Sequence, residues 1–206
     1  MMNTERITIM WEITLKCNLT CHFCLSWERR RKNYSNISFE DAKNIVSNLP
    51  ENWHISFVWW ECFLFPNFIE ILKLLEKRWL TFEITTNWTL VRKNLKDLNQ
   101  LNNLTNIYFS IDKYWEQHDK IRWKKWVFNE IIEVIPLIKN KVYINTVILE
   151  STTSEEILKL YKLFLKKNIY HLRLAYYTNF SLEDIGNSIK KVNDIEIDMK
   201  FESWID

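Results

Sequence analysis

The sequence holds one glycine in 206 residues, beside 11 tryptophans and 3 prolines. Average usage would give roughly 14 glycines at this length. Glycine visits φ > 0 without strain, and a chain with many turns can hardly manage with one such residue. Alanine is almost absent as well, at Ala42 and Ala175 only. No stretch reaches the roughly 18 apolar residues of a membrane span, and the longest, Ile55 to Pro66, is broken by Glu61. Neither charge dominates. Lys plus Arg is 28 against 26 Asp plus Glu, a net +2, which argues against a dedicated nucleic-acid or membrane-surface binder. Four cysteines are too few for a disulfide scaffold. Met1 to Arg6 lacks the basic-then-apolar run of an export signal, so a cytoplasmic location is expected. In that reducing setting clustered cysteines are metal ligands or catalysts before they are disulfides.

What is present is a chain able to bury a core, with 47% hydrophobic and 26% charged residues in one domain's length. Asn, Ile and Lys are heavily used; their codons are AT-rich, while those of Gly and Ala are GC-rich, so an AT-rich gene is expected. Short β-branched runs alternate with stretches of helical period. Strands are expected at Ile7–Thr14, His54–Val58, Thr81–Thr85, Asn106–Ile111, Val142–Leu149 and His171–Ala175. Helices are expected at Phe39–Asn48, with Ser38 and Asp41 as an N-terminal capping pair, and at Asn67–Lys77, opened by Pro66. Further helices are expected at Lys93–Leu101, Phe128–Ile138, Ser154–Lys167 and Leu182–Lys190. Repeated βα units of this kind form an α/β partial barrel or an open doubly wound sheet, and the count of six favours the partial barrel. Either way, function sits at the C-terminal ends of the strands.

Directly after the first strand, Cys17-Asn-Leu-Thr-Cys21-His-Phe-Cys24 spaces three cysteines as C-x3-C-x2-C. Three thiolates so close can hold three irons of a [4Fe-4S] cube and leave the fourth iron open. A zinc site built from these cysteines with His22 or a distant residue is the plainer alternative, but zinc sites usually pair C-x2-C units far apart. Cys62 reads as a small buried apolar residue. The cysteine spacing, the lead-in Trp11-Glu12-Ile13-Thr14-Leu15-Lys16 and the aromatic Phe23 resemble the radical S-adenosylmethionine (SAM) enzymes, and the resemblance runs from about Ile7 to Ala175. It implies a partial (β/α)6 barrel whose cluster binds SAM at the open iron. Reductive cleavage of SAM to a 5′-deoxyadenosyl radical would follow, with hydrogen abstraction from a substrate. The flavour nearest to it includes peptide modification and cofactor maturation.

Tryptophans stand where that family carries glycines. Trp59-Trp60-Glu61 replaces Gly-Gly-Glu, and Thr86-Asn87-Trp88-Thr89 replaces Thr-Asn-Gly-Thr. Beyond Ser110-Ile111-Asp112, His118-Asp119-Lys120-Ile121-Arg122-Trp123 and Trp126-Val127-Phe128 replace patterns ending and beginning in glycine. Trp79 follows Lys77-Arg78 where a helix usually stops on a left-handed glycine, and Trp27 and Trp115 stand in expected turns. Such placement suggests that UGA codons meaning glycine have been read as tryptophan. Trp53 and Trp204 fit the same set, and Trp11 is undecided.

By resemblance Cys17, Cys21 and Cys24 ligate the cluster, and Phe23 packs beside the adenine. Trp59, Trp60 and Glu61 line the SAM methionine pocket, with Glu61 accepting from the ammonium. Asn87 and Ser110 reach the carboxylate or ribose, Asn145 reaches the ribose if it points inward, and Arg122 pairs with the carboxylate. The alternatives are turn capping for Asn87 and Ser110, a satisfied core amide for Asn145, and a surface salt bridge from Arg122 to Asp119 or Glu116. His118-Asp119 is expected to shape a loop. The run Glu28-Arg29-Arg30-Arg31-Lys32 is a solvated face or a dock for an acidic flavodoxin or ferredoxin. The barrel is expected over residues 1–178, with 179–206 as a helix and strand-like extension. The substrate, a small molecule or peptide, is not written in the chain. If the indoles at 59 and 60 are real, the expectation changes to a catalytically dead, metal-stabilised scaffold or binding module.

Overall fold

The computed structural model describes residues 7–24, 36–169 and 171–176. Six strands lie in the order of the sequence: β1 (Thr8–Trp11), β2 (His54–Phe57), β3 (Thr81–Thr86), β4 (Leu104–Ser110), β5 (Lys141–Ile148) and β6 (Leu172–Tyr176). Every neighbouring pair is parallel. Between them run α1 (Phe39–Asn48), α2 (Phe68–Lys77), α3 (Val91–Leu98), α4 (Glu116–Arg122), α5 (Val127–Val134) and α6 (Ser154–Leu165). The sheet curls into the expected half-barrel, open between β1 and β6.

Strand alternation decides which face is which. Ile55, Phe57, Phe82, Ile84, Ile107, Phe109 and Ile144 turn outward and are buried in one core with Val46, Ile71, Leu75, Leu98, Ile131 and Leu160 of the helices. Each large side chain buried there contributes about 1.5–3 kcal/mol. The alternate residues Ser56, Glu83 and Asn106 turn inward and bond to one another: Ser56 Oγ donates to Glu83 at 2.7 Å and Asn106 Nδ2 at 3.2 Å. A parallel sheet covered on both faces would be apolar on both; the polar inner face marks a wetted chamber.

The helix ends follow local chemistry. Ser38 Oγ accepts the Asp41 amide at 3.0 Å and opens α1 as expected. Thr153 and Glu156 form a reciprocal capping box on α6. Other boundaries move. Pro66 precedes the N-cap of α2, which is Asn67 in the left-handed region (φ 57°). The third helix starts at Val91, not Lys93, because Val91 is core, and ends at Leu98. The expected Phe128–Ile138 helix divides into α5 and a 3-10 turn, Ile135–Leu137, that contains Pro136. The first strand is shorter than Ile7–Thr14, since Thr14 leaves it to accept the Lys16 amide at 3.2 Å. Helix α4, polar and without apolar period, was not legible in the sequence. The expected helix Leu182–Lys190, the extension 179–206, Trp27 and the run Glu28–Lys32 lie outside the described residues.

Among the described residues eight have left-handed φ, and six are tryptophans: Trp59 (78°), Trp79 (58°), Trp88 (82°), Trp115 (52°), Trp123 (56°) and Trp126 (70°). Asn67 and Asn168 are the other two, and asparagine tolerates the region. Trp115, with ψ −133°, occupies a region that is essentially glycine's alone. Trp60 does not share the pattern. It is buried, and its Nε1 donates to Glu12 at 2.9 Å.

Candidate active site

The loop after β1 carries the three thiols. Cys21 is buried in a small cluster with Leu19, Phe23 and Leu149, and Cys17 and Cys24 are half-buried against it. A tight turn, Cys24 N–H to Cys21 C=O at 3.1 Å, brings the last two together. Burial pushes the Cys21 thiol up to about 11; Arg122 opposes the rise, and Asp112, Cys17 and Cys24 add to it. Cys21 thus feels both of the other thiols. Among the described residues no three His, Cys, Asp or Glu side chains converge as one metal ion requires. Thiolates that each hold a different iron stand farther apart than ligands of one tetrahedral ion.

The loops after β2 and β3 close on this one. Glu61 has no exposed surface. Its oxygens accept from Thr86 Oγ1 at 2.8 and 2.9 Å, the Asn87 amide at 2.8 Å and the Phe63 amide at 3.3 Å. Burial raises its carboxyl to about 7, and these hydrogen bonds limit the rise. Asn87 both shapes its turn, accepting from Thr89, and reaches the cysteine loop through Nδ2, to Cys17 Sγ at 3.4 Å and Asn18 Oδ1 at 2.9 Å. Beside this loop Trp59 is exposed, while Phe23 is buried with its ring edge-on to His22.

On the far side, Ser110 ends β4 opposite Asn145 of β5. Asn145 Oδ1 is buried with no hydrogen-bond partner. Such an atom costs free energy unless a ligand or water meets it. Arg122 is not at the surface and does not pair with Asp119 or Glu116. It is 7% exposed and bonds Asp112 through Nε at 2.7 Å and Nη2 at 2.6 Å. Sequence spacing suggested the wrong partners because α4, unseen there, turns Arg122 inward. His118 is buried and its Nδ1 accepts the Asp112 amide at 3.2 Å. Asp119 accepts the Trp126 and Phe128 amides and so shapes the α4–α5 connection. Cys62 is buried in the main core, its Sγ 3.8 Å from the Thr85 carbonyl.

The sequence reading missed Glu83. It faces the chamber from β3, with His54, Ser56 and Asn106 about it; hydrogen bonding from His54 holds its carboxyl down to about 2, although burial opposes this. The alternation Phe82-Glu83-Ile84 was the available signal. A second hollow, about 680 Å3, lies among Trp115, Trp123, Trp126 and Phe128 on the α4–α5 surface. Three of its walls are indoles on left-handed backbone.

The chain matches the model of the radical SAM superfamily over residues 11–164 and belongs to that superfamily. It is 29% identical over 134 residues to the antilisterial bacteriocin subtilosin biosynthesis protein AlbA of Bacillus subtilis (strain 168), across 63% of this chain and 30% of that protein. Its fold is similar to that of Streptococcus suis SuiB bound to precursor peptide SuiA, with TM-score 0.76 and 16% identity, covering 95% of this chain and 47% of that one. It is also similar to anSMEcpe with bound AdoMet and Cp18Cys peptide, with TM-score 0.64 and 21% identity over 82% and 50% of the two chains. The chain thus spans half or less of the length of these relatives. The superfamily uses a [4Fe-4S] cluster and SAM. No helix among the described residues is long and apolar enough to cross a membrane.

Proposed function

We propose that this chain is a radical SAM enzyme acting on a peptide, with its cluster on Cys17, Cys21 and Cys24. The observation that carries the reading is the placing of three cysteines, none in a disulfide, on one loop at the C-terminal mouth of an open parallel barrel. The orphaned Asn145 Oδ1 on β5 is a polar atom suited to a bound ligand. When bound, the cluster and SAM together supply one-electron cleavage of SAM and a hydrogen-abstracting species. The chain's own residues do the holding. Phe23 offers an apolar face to the adenine, Ser110 and Asn145 offer polar atoms to the ribose or carboxylate, and Arg122 offers positive charge to the carboxylate. Asn87 fixes the Cys17 loop. Glu61 offers a carboxylate oxygen to the SAM ammonium, and its three present donors join the loops after β2 and β3. A flavodoxin or ferredoxin is the proposed electron donor. The peptide assignment rests on likeness to AlbA, a bacteriocin biosynthesis protein, and to SuiB, solved with a precursor peptide.

The same reading takes the native residue at 59, 79, 88, 115, 123 and 126 as glycine, through UGA codons read as tryptophan. Six left-handed indoles support it, since each costs about 1–3 kcal/mol of strain. Together they would rival the roughly 5–15 kcal/mol stability of a whole domain. With glycine there, the hollow beside α4 loses three walls and carries no ligand site. Trp60, with ordinary φ and a buried, bonded indole, favours the second reading, a scaffold whose SAM pocket is filled. Anaerobic reconstitution with iron and sulfide, followed by a SAM-dependent assay for 5′-deoxyadenosine, separates the two. Product supports the enzyme. An intact cluster with no product from the glycine form supports the scaffold.

A further inference from the structure

We infer that Arg122 and Asp112 form a charge couple that sets the reduction potential of the cluster, Arg122 raising it and Asp112 restraining it. This rests on the proposed ligation by Cys17, Cys21 and Cys24. Arg122 closes α4, and Asp112 follows β4; their side chains are 7% and 0% exposed. The pair is fixed from several sides. Nε and Nη2 of Arg122 both bond Asp112 Oδ2, at 2.7 and 2.6 Å. Asp112 Oδ1 accepts the Val147 amide at 3.0 Å, and the Asp112 amide donates to His118 Nδ1. The guanidinium carbon lies 5.6 Å from the centre of the Phe23 ring, which stands between Cys21 and Cys24. Burial works against the Arg122 charge, and the Asp112 carboxylate bonded to it offsets this.

A buried ion pair is a weak means of stabilising a fold, since apolar residues of similar volume usually serve as well. Its use here is better sought in the field it lays on the thiols. Charges interact more strongly in a poorly solvated interior than in water, and the potential of an iron–sulfur cluster follows its net charge and surroundings. Reduction adds one electron, and one negative charge, to the cluster. A fixed cation against the loop favours the reduced state, and the carboxylate behind it disfavours it. Toward the SAM-free cluster Arg122 thus acts by its field, apart from the charge it offers the SAM carboxylate.

The test is a redox titration of the full chain, reconstituted anaerobically and without SAM, so that carboxylate binding plays no part. Dithionite supplies the single electron, and electron paramagnetic resonance reads the reduced fraction. Arg122→Gln is expected to lower the midpoint, with about a tenfold smaller reduced-to-oxidised ratio at fixed potential, or about 59 mV for one electron. Asp112→Asn is expected to raise it, and Arg122→Lys to leave it near the wild-type value. Packing damage would not move the first two in opposite directions. Equal midpoints, or shifts of one sign, at unchanged iron content overturn the inference and leave the cluster assignment standing. A wild-type chain that takes up no cluster overturns both. If Arg122→Gln retains no iron, Asp112→Asn decides alone, and a lower or unchanged midpoint overturns the inference.

Discussion

Asn87 donates its side-chain amide to Cys17 Sγ at 3.4 Å, joining the loop after β3 to the first cysteine of the loop after β1. The same amide reaches Asn18, and its Oδ1 accepts from Thr89. One side chain thus connects residues 70 apart in the chain. Asn87→Ala should lower stability by about 1–2 kcal/mol and reduce the iron retained after anaerobic gel filtration. Wild-type iron retention would show that Asn87 only shapes its own turn.

Replacing Cys17, Cys21 or Cys24 by alanine should abolish the visible cluster absorbance and SAM cleavage. Cys62→Ala should leave iron and sulfide content unchanged, because that thiol is in the main core against Thr85. Loss of iron from Cys62→Ala would mean the ligand set is wrong.

Glu61 gives a pH signature. Its carboxyl titrates near 7 in the fold, because of burial, against an ordinary value of 4.5. Between these values the folded state binds the proton more tightly than the unfolded chain, so stability falls as pH rises from 4.5 through 7 and then levels off. The fall should amount to a few kcal/mol. Urea unfolding across that range should show it in wild type and not in Glu61→Gln. The same slope in both proteins would assign it to another group.

The left-handed indoles divide by burial. Trp79 and Trp123 are 83% and 72% exposed, so little packing is lost with them. Trp79→Gly and Trp123→Gly should each raise stability by about 1–2 kcal/mol, the relief of strain less the entropy cost of glycine. Trp88 is 1% exposed and its ring lies 4.8 Å from Phe109. Trp88→Gly leaves a cavity and should destabilise the chain as written by a few kcal/mol. Stabilisation at 79 and 123 is the decisive result; a loss there would mean tryptophan suits those turns. Peptide mass spectrometry on protein from its native cells reads the residues themselves, at 59, 79, 88, 115, 123 and 126.

Local pattern made much of this protein legible. Six strands fall within a few residues of their expected limits because alternation and β-branching act over four to eight residues. Three cysteines within eight residues suggest a metal site before any fold is known, since their spacing alone brings them together. The glycine-like turns were visible at 59, 79, 88, 115, 123 and 126 because left-handed φ is a demand of the local backbone.

Partner choice was decided by tertiary structure. Nothing in the sequence marks Asp112, rather than Asp119 or Glu116, as the partner of Arg122; the inward turn of α4 chooses it. Glu61 finds its donors because the loops after β2 and β3 close together, placing the Thr86 hydroxyl and the Asn87 amide on its oxygens. Glu83 became a chamber residue only when six strands took one register and curled, which sets His54, Ser56 and Asn106 about it. Sequence fixes what each short segment prefers; which distant charges are desolvated together depends on closure of the sheet, and burial is what gives those charges their strength.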